Sequence, residues 1–174
     1  SIEIANTSDT VTLDGAIGAA DIADSIIVNA GAVLSTGGNS IASSDDTLFI
    51  SGQVLLTGTN GWRTAGGRDT ISNGGSIVYG GTTQTVSPII GGVILPKLII
   101  AGSGASTLGA NISADTVQIN SGGTLDASVS NFGIATRMKW TNNGTFTARS
   151  GKVIFNGGAT VGFDGEAITD FYDF

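Results

Sequence analysis

The chain has 174 residues, 28 of them Gly, with no His, no Cys and a formal net charge of −7. The missing Cys and His exclude disulfide staples, thiolate metal sites and His- or Cys-based catalysis, and the acidic balance argues against nucleic acid as a partner. Apolar residues reach 40%, aromatics only 6%, and mean hydropathy is +0.28, so a folded chain with a thin, repeated core of Val, Ile, Leu and Ala is expected rather than disorder.

From the N-terminus, Ile2-Glu3-Ile4 and Val11-Thr12-Leu13 alternate as strands do, and residues 1–14 read as an N-terminal assembly strand with an unpaired edge. Ala16 to Ala23 is the one ambiguous piece, a short turn-like element or a cap. Ile26-Ile27-Val28 and Val54-Leu55-Leu56 read as buried strands. Asp45-Asp46, the only adjacent acidic pair, sits in a Ser-rich turn and reads as a solvated corner rather than a catalytic or calcium site. Residues 60–69 are polar and basic around Trp62, and read as a loop excursion. Residues 88–96 hold both prolines around an apolar run, so they read as an edge, an excursion or a contact surface. Leu98-Ile99-Ile100 is again strand-like, Trp140 reads as core, and residues 159–174 form an acidic C-terminal tail.

A repeat links these pieces. Asn or Ser, then one or two Gly, then alternating apolar residues recur at Asn29, Ser51, Asn73, Asn120, Asn142 and Ser150. The glycines step by 21 from Gly31 to Gly52, by 23 to Gly75 and by 21 from Gly123 to Gly144; Gly75 to Gly123 is 48, two further steps. Such a period is one coil of a β-solenoid. Asn and Gly at each corner are expected to supply left-handed backbone for the turn. The prediction is an all-β, single-domain β-solenoid of roughly 21–24 residues per coil, a rod about 30–40 Å long, with no helix.

The segment from about Gly74 to Gly158 resembles repeats of long surface and adhesin-like proteins of Gram-negative bacteria. The resemblance rests on Ser76-Ile-Val-Tyr-Gly-Gly-Thr-Thr-Gln-Thr-Val86, on Leu98-Ile-Ile-Ala-Gly-Ser-Gly104, and above all on Trp140-Thr-Asn-Asn-Gly-Thr-Phe-Thr-Ala-Arg-Ser-Gly-Lys-Val-Ile-Phe-Asn-Gly157. It implies an exported solenoid used in adhesion, fibres or surface coats, and carries no catalytic residues. Residues 88–96 and the acidic tail depart from that pattern.

Charge is unevenly spread. Seven carboxylates and no cation precede Arg63; all seven cations lie from Arg63 to Lys152 beside only three carboxylates; Asp164, Glu166, Asp170 and Asp173 follow. The expectation is head-to-tail self-assembly into a surface fibre through strand addition and charge complementarity. The interface residues would be Ile2, Ile4, Val11, Leu13, Arg137, Lys139, Arg149, Lys152, Phe171, Tyr172 and Phe174. The alternative is an adhesin segment binding a protein or cell-surface glycan, with Trp62 as ligand contact or interface anchor. An ice-binding face of T-x-T pairs is suggested only by Thr10-Val-Thr12 and Thr145-Phe-Thr147, and a polysaccharide-degrading enzyme lacks catalytic groups. No catalytic residue, metal site or cofactor is expected, nor a membrane span; Asn6, Asn111 and Asn143 open glycosylation sequons. The absence of Met and of a leader at Ser1 fits an extracellular chain after signal-peptide removal.

Overall fold

The computed structural model describes residues 1–18, 25–42, 47–59, 69–72, 74–87, 94–158 and 160–172. These form strands and turns only, with every strand pairing parallel, wound into a β-solenoid. The first coil contributes β1 (Ile2–Ile4), β2 (Thr10–Thr12) and β3 (Ile17–Gly18). The second contributes β4 (Ser25–Val28), β5 (Val33–Ser35) and β6 (Ile41–Ala42), the third β7 (Thr47–Ile50) and β8 (Gln53–Leu56). Next come β9 (Asp69–Ile71), β10 (Ser76–Tyr79) and β11 (Gln84–Val86), then β12 (Leu95–Ile100) and β13 (Ala105–Leu108). The last coils hold β14 (Ile112–Ile119), β15 (Thr124–Asp126), β16 (Ile134–Asn142) and β17 (Thr145–Thr147), followed by β18 (Val153–Phe155) and β19 (Gly162–Asp164).

One sheet runs the length of the rod in the order β2-β5-β8-β10-β12-β14-β16, which is six turns, and both β18 and β19 add to β16. Its central inward rank is Val11, Leu34, Val54, Ile77, Leu98, Val117, Trp140 and Phe163, each the register partner of the next. The six middle members are at most 1% exposed. Stacking like on like at about 4.8 Å removes both faces of each side chain from water, worth about 1.5–3 kcal/mol per aliphatic residue. Coil steps range from 19 residues (Leu98 to Val117) to 24 (Ile2 to Ile26), so some coils are shorter than the glycine spacing suggests.

Toward the C-terminus the separate strands of neighbouring faces fuse into long, bent ones. The register between β14 and β16 shifts between Ala114 and Thr116, on either side of Asp115. Pro96 lies at the matching place in β12, between the paired residues Leu95 and Lys97. A bend that skips a pairing suits a residue without an N–H, which is why proline is accepted inside this strand. The expected excursion at residues 88–96 therefore ends before Leu95; residues 88–93 lie outside the described part. Likewise Asp69 opens a strand, and residues 60–68 lie outside it.

The repeat glycines divide between two tasks. Gly31 and Gly122 have the expected left-handed backbone, each with φ of 81°. Gly52 and Gly144 do not; instead, a Cβ on Gly52 would lie 2.3 Å from the Asn29 carbonyl oxygen, and one on Gly144 would lie 2.3 Å from that of Gly123. At these corners glycine is required because one coil's backbone rests on the previous coil's carbonyls.

Candidate functional site

The first coil ends the stack. Among the described residues, β1, β2 and β3 each pair on one side only, with β4, β5 and β6. Their inward residues lie over a buried layer: Ile2 over Ile26, Ile4 over Val28, Val11 over Leu34 and Ile17 over Ile41. Ile2 is 42% exposed, Val11 and Ile17 are half-buried, and Leu13 packs partly against the core. Ile4 belongs to the buried core itself. The end thus joins three open strand edges to an uncovered apolar layer, the arrangement that accepts a further strand. Ile17 was missed in the sequence; the signal was its spacing of 24 from Ile41, the same step that separates Ile2 from Ile26.

The carboxylates Glu3, Asp9 and Asp14 are exposed around this end. Glu3 accepts a hydrogen bond from Asn29 Nδ2 at 2.7 Å, which ties the first coil to the second.

The cations expected to complement them have partners within the chain. Arg137 Nε lies 2.9 Å from Asp115 Oδ1, and Lys139 Nζ lies 3.0 Å from Asp164 Oδ2. Arg149 makes a two-point pair with Asp126, its terminal nitrogen 2.7 Å from Oδ2. The hydrogen bond from Arg149 holds the Asp126 carboxyl below the usual carboxylate range, against the opposing effect of burial. The hydrogen bond from Lys139 lowers Asp164 in the same way. Lys152 is exposed, on the turn into β18. These pairs run between neighbouring coils along the side of the rod, so charge complementarity between ends is not what the three cations are placed to provide.

The opposite end is aromatic. Trp140, 1% exposed, meets Phe146 edge-on at 4.9 Å and Phe171 at 5.5 Å, and Phe155 lies 4.7 Å from Phe163. Phe171 is half-buried in this cluster, held by the chain before it: Asn142 Nδ2 donates to the Ile168 carbonyl and to Thr169 Oγ1. Phe163, Ile168 and Tyr172 stay exposed. The acidic tail is thus strand at Gly162–Asp164 and then lies across the end of the core. Phe174, Trp62 and the Asp45-Asp46 corner lie outside the described residues.

No family model, curated protein or solved structure matches the chain.

Among the described residues, no group of three or more His, Cys, Asp or Glu side chains is placed to hold a metal ion. No helix there is long and apolar enough to cross a membrane.

Proposed function

We propose that this chain is a structural β-solenoid of an extracellular surface fibre, and that its first coil is a joint at which a second copy adds end to end. The observation that carries the reading is the exposure step at that coil: Ile2 is 42% exposed while Ile26, its partner one coil in, is 1% exposed. Covering β1, β2 and β3 with another coil extends a parallel ladder and buries the layer of Ile2, Val11 and Ile17. The extracellular placement rests on the resemblance of residues 74–158 to surface-protein repeats and on the Gly-, Ser- and Thr-rich, Cys-free composition.

Strand addition supports this joint better than charge does. The C-terminal end also presents exposed carboxylates, Glu166 and Asp170. Like charge on both ends opposes stacking at low ionic strength, and screening relieves it. Sedimentation velocity over a concentration series tests the reading. The intact chain is expected to form longer species as concentration and salt rise, and Val11→Lys is expected to stay at the size of one rod. A wild-type chain that stays one rod throughout sinks it.

A further inference from the structure

The first coil can meet either of two surfaces on a second copy: that copy's own first coil, or its C-terminal end. Taking the end-to-end reading above as given, we infer that the mate is the C-terminal end. There β2 of one copy adds to β19 of the next, and Val11 seats on Phe163. The joint then has a polarity, which the reading above leaves open.

Continuity of the core rank points to this pairing. Along the long sheet each inward residue is the register partner of the next, and the rank ends in Val11 on one side and Phe163 on the other. Phe163 stands on Trp140 as Val11 stands on Leu34. Setting Val11 on Phe163 repeats, across the joint, the contact that each coil makes with its neighbour. Both strands are three residues long, and among the described residues each pairs on one side only.

Strand direction agrees. The strands beside the joint run parallel to their neighbours, β2 to β5 and β19 to β16. Head-to-tail stacking carries that direction into the next copy. A first coil on a first coil would turn one rod over about a two-fold axis and set the strands antiparallel. Such a contact closes on itself, whereas a head-to-tail one leaves a free end of each kind and continues.

The receiving surface is apolar where β2 would lie. Phe163 packs against Phe155 at 4.7 Å and Phe171 at 6.4 Å, yet it is 60% exposed. Ile168 and Tyr172 are exposed at the same end. The one charge on β19, Asp164, is paired with Lys139 at 3.0 Å, and Thr10-Val11-Thr12 carries none. A neutral strand thus covers an aromatic face without stranding a charge.

Sedimentation velocity of two end-blocked variants, alone and mixed, tests the polarity. Val11→Lys spoils the first coil and leaves the C-terminal end sound; Phe163→Lys does the reverse, at a side chain already mostly in water. Each alone is expected to stay one rod at concentrations where the intact chain forms longer species. Their equimolar mixture is expected to form pairs of rods and nothing longer, because it holds one sound end of each kind. A second measurement avoids both substitutions. Thr12→Cys and Asp164→Cys place thiols at exposed positions beside Val11 and Phe163, in a chain with no other Cys. Treated together with a short bis-maleimide, the two variants are expected to link to each other, and Thr12→Cys is not expected to link to itself. Association of Phe163→Lys equal to that of the intact chain overturns the inference, as does self-linking of Thr12→Cys in excess. So does the absence of both the pairs and the links between variants. Each of these results leaves the first coil standing as a joint, whereas an intact chain that stays one rod overturns both.

Discussion

Ile2 and Ile26 are register partners on adjacent parallel strands, yet the first is 42% exposed and the second 1%. The same side chain in the same rank differs only in whether a coil covers it.

That difference predicts unequal responses to substitution. Ile26→Ala removes a methyl-rich side chain from between two coils and should cost about 2–4 kcal/mol in urea denaturation. Ile2→Ala should cost less than about 1 kcal/mol, because much of that side chain is already in water. Equal losses at the two positions would mean that the first coil is already covered in solution.

Glycines separate into those bound by close approach and those in open space. Gly144→Ala would drive a Cβ against the carbonyls of Gly123 and Asn120 and should destabilise by about 2 kcal/mol or more, with a matching fall in thermal midpoint. Gly158→Ala meets nothing within 4 Å and should change stability by less than about 0.5 kcal/mol.

Arg149 sits at φ 49°, a left-handed conformation that a side chain disfavours, while its guanidinium holds Asp126 on the preceding coil. Arg149→Ala loses the pair and keeps the strain; Arg149→Gly loses the pair and relieves it. The Gly variant should therefore be the more stable of the two by about 1 kcal/mol, read from the difference in urea midpoints.

Asp126 also gives the rod an acid-sensitive contact. Its folded-state carboxyl is lowered from 3.8, so the contribution is fully present above that value and is lost as pH falls through the lower folded one. Because the pair lies at the surface, the loss is expected to stay under about 1 kcal/mol. Comparing urea midpoints at pH 6 and pH 2.5 should show a smaller acid-induced drop in Asp126→Asn than in the intact chain.

Much of this fold was legible in the glycine spacing. The step of 23 from Gly52 to Gly75 is the register step from Gln53 to Ser76, and the step of 21 from Gly123 to Gly144 is that from Thr124 to Thr145. Each glycine marks the point where one coil touches the last, so it keeps phase with the strand beside it. Spacing does not separate the two uses of glycine, because close approach at Gly52 and Gly144 and left-handed turns at Gly31 and Gly122 select the same residue. The fused strands were not visible either: Pro96 reads as a strand breaker until the bend opposite Asp115 is known.

The lateral ion pairs also have a signature in the sequence. Asp115 and Arg137 are 22 residues apart, Asp126 and Arg149 are 23, and Lys139 and Asp164 are 25. Opposite charges about one coil apart stack on each other in a solenoid, so they point to the side of the rod.

Amide hydrogen exchange, compared between dilute and concentrated chain, tests the joint at the first coil most directly. Amides of Ile2–Ile4 and Thr10–Thr12 are expected to exchange fast when dilute and to become protected on association, while those of β5 and β8 stay protected throughout. Association that leaves the first-coil amides in fast exchange would contradict it and place the contact elsewhere on the rod.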